Sequence, residues 1–128
     1  MIVLDTSVLV DGLTGRRESA GALRRAIEQG ERLAVPSLVL YEWLRGPRSA
    51  EELADQEALF PAAAALPFGP QQAAVAAELY RGDKKPRGRE LDLAIAACAI
   101  ACNASLWTLN TADFQDLPRL GLFSPASA

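Results

Sequence analysis

The sequence predicts an α/β fold, a three-layer sandwich in which helices flank a mostly parallel central sheet. Short apolar runs alternate along the chain with longer segments of helical periodicity. Half of the residues are hydrophobic, which is enough to build a folded core. No linker-like stretch divides the chain, so we expect one domain over residues 1–128.

Strands are predicted where apolar runs are short and continuous. They lie at residues 1–4, 32–35, 63–68 and 105–109, and residues 118–123 are a candidate edge strand. Because helical segments separate these strands, βαβ crossovers and a parallel sheet are favoured.

Helices are predicted where apolar residues recur at helical spacing between capping residues. A short helix is expected after the capping residues Thr6-Ser7 and ends near Gly12, and a short helical turn follows Asn110. The longer helices are predicted at residues 16–29, 36–45, 49–60, 71–81 and 89–103.

The chain contains no histidine. This excludes a Ser-His-Asp or Cys-His catalytic apparatus, a histidine general base and histidine-ligated zinc. The two cysteines, Cys98 and Cys102, share a predicted helix and are interpreted as small buried apolar residues. The net charge of −3 by itself argues against a polyanionic partner, but bound divalent cations would offset it.

Four acidic residues lie beside or within apolar runs, where a core would exclude charge. They are Asp5, Glu42, Asp92 and Asp113. A carboxylate next to a core is costly unless its charge is compensated. In the predicted fold Asp5 and Asp113 follow strands, at the sheet edge where ligands of parallel sheets bind.

Each acid also has an ordinary structural explanation. Asp5 could cap the following helix, and Glu42 could pair with Arg45 one turn later. Asp92 and Asp113 could each favour the positive start of a helix. Four such carboxylates at one end of a sheet repel one another, and a divalent cation removes that penalty. We therefore expect a site for Mg²⁺ or Mn²⁺ that acts on phosphodiesters.

Four segments resemble, in order, the motifs of PIN-domain ribonucleases. They are residues 1–10, 36–46, 88–99 and 108–114. Their order and spacing most resemble those of the VapC-type toxins of toxin–antitoxin modules, and the resemblance covers essentially the whole chain. It implies a PIN-like fold and metal-dependent endoribonuclease activity.

The resemblance also implies roles for the four acids. Asp5, Asp92 and Asp113 would hold Mg²⁺ or Mn²⁺, directly or through water. Glu42 would complete the acidic pocket, either as a ligand or by orienting a water. The acid at the position of Asp113 is the least constant of the four in this family.

Supporting residues are expected on both sides of this pocket. The resemblance implies that Thr6 or Ser7 hydrogen-bonds near the first acid and that Asn110 positions the fourth motif. Arg87 and Arg89 belong to a basic stretch, residues 81–89, that lies just before Asp92. That loop is interpreted as a contact for RNA phosphates, with a solvated loop as the alternative.

The resemblance implies an RNA substrate, a cognate antitoxin and a homodimer. An apolar surface on the central helices could receive an antitoxin helix, although core packing explains the same residues. The residues concerned are Trp43, Leu44, Leu53, Leu59 and Phe60.

Two other functions remain open from the sequence. One is a PIN-type RNA-processing nuclease outside a toxin module, and the other is a non-catalytic protein-interaction module. A phosphoaspartyl phosphatase is disfavoured, because Ser7 stands where its second acid is expected. No apolar run is long enough to span a bilayer, and we expect a cytoplasmic protein without membrane association.

Overall fold

Three short strands form one parallel sheet in the computed structural model, which describes residues 1–15 and 18–125. They are β1 (Ile2–Leu4), β2 (Leu33–Ala34) and β3 (Ser105–Trp107), in the order β2-β1-β3. Both neighbours of the central strand β1 run parallel to it. The predicted α/β sandwich with a parallel sheet is confirmed.

Six helices surround the sheet within the described residues. They are α1 (Thr6–Leu13), α2 (Ala20–Glu28), α3 (Ser37–Arg45), α4 (Ala50–Leu59), α5 (Pro70–Gly82) and α6 (Glu90–Ala101). Residues 16 and 17 of the helix predicted from residue 16 lie outside the described residues, and residues 18–19 form a turn.

The strand predicted at residues 63–68 is wrong. Residues Ala62–Ala64 form a single 3-10 turn, and only Leu66 makes a parallel bridge, to Pro36. Alanine favours helical over extended backbone, and Pro67 has no N–H to continue a strand ladder. These two local preferences outweigh the apolar character of the run.

The candidate edge strand at residues 118–123 is reduced to one parallel bridge, between Leu106 and Leu122. Leu106 N–H donates to the carbonyl of Gly121 at 2.9 Å, and Phe123 N–H donates to Leu106 at 2.8 Å. The segment thus covers the outer edge of β3 without forming a named strand. Phe123 also packs on Trp107, with ring centroids 5.0 Å apart.

The core lies between the sheet and helices α1, α3 and α6. Seven residues of the twelve-residue helix α6 are buried, which fits its alanine-rich, apolar composition. The small side chains let α5 and the sheet approach α6 closely. The core therefore places the start of α6, which carries Asp92, beside the end of the sheet.

The start of α4 follows its local sequence signal. Ser49 and Glu52 form a reciprocal capping box at the start of α4, where Ser49 Oγ accepts from Glu52 N–H at 3.1 Å. Gly30 takes a positive φ of 82° after α2.

Among the helices of the described residues, none is long and apolar enough to cross a membrane.

Candidate functional site

Asp5 and Thr108 lie side by side because β1 and β3 are parallel. The register pairs Leu4 with Trp107, so the next residues, Asp5 and Thr108, leave the sheet at the same edge. Asp5 N–H donates to the Trp107 carbonyl at 2.9 Å and extends the pairing by one step. The carboxylate of Asp5 is thereby held at the carboxyl end of the central strand, where parallel sheets bind ligands.

The Asp5 carboxylate is buried and held by two hydroxyl groups. Asp5 is only 4% exposed. Oδ2 accepts from Thr108 Oγ1 at 2.7 Å and from Ser7 Oγ at 3.0 Å. Ser7 Oγ in turn accepts from the N–H of Leu109 at 3.0 Å. Although Asp5 occupies the N-cap of α1, its side chain makes no capping hydrogen bond, so capping does not explain this acid.

Glu42 faces the same cleft from α3, and both of its oxygens have partners. Thr6 Oγ1 donates to Oε1 at 2.5 Å, and Arg45 Nη2 lies 3.4 Å from Oε2. The side chain of Glu42 is 20% exposed, whereas that of Arg45 is 54% exposed. The expected pair with Arg45 is therefore present, but it is a loose contact at the rim. Thr6 therefore contacts Glu42, and Ser7 contacts Asp5.

Asp92 is the third residue of α6, and the charges of the other three acids act on its carboxyl. Burial raises the pKa of its carboxyl, and the charges of Asp5, Asp113 and Glu42 raise it further. Arg89 opposes this shift by lowering the same pKa. The charges of Asp5, Asp113 and Glu42 therefore all act on Asp92 in the direction that disfavours its ionised form.

The acids border an open cleft of about 390 Å³. Three of them, Asp5, Glu42 and Asp92, line it directly, together with Asn110. Asp113 lies on the exposed 3-10 turn Thr111–Asp113 after β3 and does not line the cleft itself. Fold topology therefore gathers residues that are far apart in the sequence, with Asp113 at the margin.

Hard cations fit the donor set of this cleft. Its acidic side chains offer only carboxylate oxygens, which are the ligands that Mg²⁺ and Mn²⁺ prefer. Across the part of the chain that the structure describes, no three acids or cysteines are close enough to form a direct metal cluster. Mg²⁺ commonly uses one or two carboxylates and keeps several waters, so a partly hydrated ion suits this arrangement.

Arg87 and Arg89, the two arginines expected to contact RNA, have different surroundings. Arg87 is exposed, and within residues 1–15 and 18–125 no ion pair of its side chain is found. Arg89 instead binds the carboxylates of Asp83 and Asp116 and the carbonyl of Asp113. Of the two, only Arg87 presents its guanidinium to solvent without an acidic partner.

Sequence reasoning missed three side chains of the site. Thr108 is 5% exposed and donates to Asp5. Asp11 of α1 and Thr14, directly after that helix, line the cleft. Thr108 was discoverable, because aligning the first and last strands in parallel places it beside Asp5. Asp11 and Thr14 had no such signal, because their approach to the cleft depends on the orientation of α1.

Comparison with known sequences identifies one family over nearly the whole described chain. The profile of the PIN domain family matches residues 2–120. The chain is 36% identical over 122 residues to ribonuclease VapC19 from two strains of Mycobacterium tuberculosis. That match covers 94% of this chain and 97% of the relative.

Solved structures with the same fold include several toxin–antitoxin complexes. DNA-bound VapBC from Salmonella typhimurium matches with a TM-score of 0.77 and 22% identity, covering 98% of both chains. VapBC2 from Rickettsia felis, bound to a promoter DNA fragment, matches with a TM-score of 0.75 and 23% identity, covering 96% of this chain and 98% of that one. At these identities the likeness establishes the fold.

Proposed function

This chain belongs to the PIN domain family, and from that membership we propose that it is a metal-dependent endoribonuclease and the toxin of a type II toxin–antitoxin module. The observation that carries the proposal is the convergence of Asp5, Glu42 and Asp92 on one cleft. Residues 1–128 act as one nuclease domain. We propose that it acts on RNA in the cytoplasm.

Support for RNA hydrolysis comes from both relationship and chemistry. The relative in Mycobacterium tuberculosis, which aligns over nearly its full length, is a ribonuclease. The cleft contains carboxylates and hydroxyls, and histidine is absent from the chain, so acid–base work falls to oxygen groups. The chemistry supplied by a bound Mg²⁺ or Mn²⁺ is stabilisation of charge on phosphate oxygens and activation of water.

Each acid has a distinct part in this proposal. Asp5 and Asp92 would hold the cation, and Asp113 would contribute from the margin. Glu42 keeps Oε1 fixed by Thr6 and turns Oε2 towards the rim, where it orients an attacking water. Pre-positioning these groups is the protein's main contribution to the rate, because little covalent chemistry is required of it.

The supporting residues divide between orientation and substrate contact. Ser7 fixes Asp5, Thr6 fixes Glu42, and Asn110 shapes the turn beside the cleft. Arg87, which is exposed and close to the third motif, contacts RNA phosphates.

An antitoxin and a second copy of the chain are the proposed protein partners. Leu44 and Leu59 are 52% and 48% exposed, and Leu53 is 37% exposed, so α3 and α4 leave apolar surface in solvent. Trp43 and Phe60, by contrast, are buried and serve the core. An amphipathic antitoxin helix would cover the exposed leucines.

The direct test is cleavage of total cellular RNA by the purified chain with Mg²⁺, with Mn²⁺ and with EDTA. We expect cleavage at discrete sites with either cation, none with EDTA, and none from Asp92→Asn. Glu78→Gln is the matched control, because it neutralises an exposed acid whose described contact is Arg119, outside the cleft. It is expected to cleave as the wild type does.

Two outcomes would redirect the interpretation. Absence of cleavage from folded, antitoxin-free protein under all conditions would favour a non-catalytic interaction module. Cleavage restricted to one precursor RNA, without growth inhibition on expression, would favour an RNA-processing nuclease over a toxin.

A further inference from the structure

Arg89 joins the third and fourth motifs through its guanidinium. It stands directly before α6, three residues ahead of Asp92. Nη2 donates to the backbone carbonyl of Asp113 at 2.7 Å and to Asp116 Oδ1 at 3.1 Å. Nη1 donates to Asp116 Oδ2 at 3.1 Å and also to Asp83 Oδ2. One planar group therefore ties together the end of α5, the start of α6 and the turn that carries Asp113.

The donor count leaves Arg89 little capacity for substrate. A guanidinium has five N–H donors, and the four on its terminal nitrogens are all used by Asp83, Asp116 and the Asp113 carbonyl. The side chain is 22% exposed. Two carboxylates already compensate its charge, so its attraction for an RNA phosphate is reduced.

The turn at Asp113 is anchored by Arg89. It is a single 3-10 turn on the surface, closed by the Asp113 N–H to the Asn110 carbonyl at 2.9 Å. Phe114, which is buried, fixes one side of the turn in the core. Arg89 holds the carbonyl of Asp113 itself and so joins this turn to the start of α6, which carries Asp92.

We propose that Arg89 is a positioning residue that places Asp113 relative to Asp92 for cation binding, and that it does not contact RNA. The inference rests on the proposed nuclease function and deepens it. Asp116 orients Arg89 in this proposal, because its carboxylate accepts hydrogen bonds from both terminal nitrogens of the guanidinium. Lysine cannot reproduce this arrangement, because an ammonium lacks the planar fork that satisfies three acceptors at fixed angles.

The experiment compares Arg89→Lys and Asp116→Ala with wild type in two measurements. The first is Mn²⁺ affinity without RNA, from the electron paramagnetic resonance signal of free Mn²⁺. The second is the separation of kcat from KM on a short RNA that wild type cleaves. Arg119→Lys and Glu78→Ala are the matched controls, because that ion pair spans 3.2 Å and both side chains are 57% exposed.

Loss of an outer-shell partner typically lowers metal affinity or activity by about 10- to 100-fold. We expect Arg89→Lys to weaken Mn²⁺ binding and lower kcat within that range, with KM changed less than about twofold. Asp116→Ala is expected to shift both quantities in the same direction by about tenfold. The two controls are expected to match wild type in both measurements.

The opposite pattern would overturn the proposal. If Arg89 contacted RNA, Arg89→Lys would retain kcat and Mn²⁺ affinity, and Asp116→Ala would free the guanidinium and lower KM. A purely structural role would lower thermal stability and leave Mn²⁺ affinity unchanged, which also refutes positioning. Asp116 is an exposed residue, so its variant stays informative if Arg89→Lys fails to fold.

The Mn²⁺ measurement separates this proposal from the proposed function. If wild type binds Mn²⁺ but cleaves no RNA, the nuclease assignment fails. Weaker Mn²⁺ binding by the two variants would then still support positioning, whereas unchanged binding would refute it.

Discussion

Removal of the Thr108 hydroxyl tests the central contact of the site. In Thr108→Val the side chain keeps its shape and loses the donor that lies 2.7 Å from Asp5 Oδ2. Both residues are buried, Asp5 at 4% and Thr108 at 5% exposure, so water cannot readily replace this hydrogen bond. Ser7 would remain the described side-chain donor to that oxygen.

The expected cost follows from the charge and burial of the acceptor. A hydrogen bond to a charged group contributes about 1.5–3 kcal/mol to the free energy of unfolding. Thr108 Oγ1 has two further contacts. It accepts from the N–H of Asn110 at 3.0 Å, beside an exposed residue where water can substitute. It also lies 3.4 Å from Ser7 Oγ, but both hydroxyl protons are already donated to Asp5. We therefore assign the loss to Asp5 and expect about 2 kcal/mol.

Urea unfolding in EDTA measures this cost. Trp43 and Trp107 are both buried and provide the fluorescence signal. With an m-value of about 1–3 kcal/mol/M, the midpoint should fall by about 1 M. The double-mutant cycle with Asp5→Ala isolates the pair, and we expect a coupling energy of about 1–2 kcal/mol.

A coupling energy below about 0.5 kcal/mol would refute this reasoning, because independent sites add within that margin. Thr108→Ser supplies the activity control. It retains the hydroxyl and should keep most of the RNA cleavage, whereas Thr108→Val should lose about 10- to 100-fold through misorientation of Asp5.

Two further predictions concern titratable groups. Folding raises the pKa of Asp92 above 3.8, so its contribution to stability is present below that pH and is lost as pH rises through the raised value. In EDTA near pH 7 we therefore expect Asp92→Asn to be at least as stable to urea as wild type. Near pH 3 the free energies of unfolding of the two proteins should converge. A variant less stable than wild type at pH 7 would contradict this reasoning. Burial raises the pKa of the Cys98 thiol to about 11, so at about pH 8 native protein should be alkylated by iodoacetamide at Cys102 well before Cys98, as read by mass spectrometry. Equal rates at the two cysteines in native protein would show that Cys98 is accessible.

Much of the fold was predictable because it depends on local patterns. The bounds of α3, from Ser37 to Arg45, follow from Pro36 before it and Gly46-Pro47 after it. The start of α4 follows from its capping box. The strand predicted at residues 63–68 failed because its alanines favour helical backbone and Pro67 has no N–H for a strand ladder.

The site was predictable in its acids and less so in their contacts. Charge beside an apolar run is visible in the sequence, and it identified Asp5, Glu42 and Asp92. The opposite behaviour of Arg87 and Arg89 was not visible, because both belong to one basic loop. Only the approach of Asp83 and Asp116 in space engages Arg89.

The class of fold, the family motifs and the absence of histidine chemistry can be read from the amino-acid sequence alone, since they depend on periodicity and residue identity. Tertiary structure decided which groups meet. Parallel pairing of β1 with β3 brings Thr108 to Asp5 across 103 positions. Packing of α6 against the sheet brings Asp92 into the field of the other acids. Such contacts depend on strand order and helix placement, which come from the summed packing of the whole core and are not encoded in any one segment.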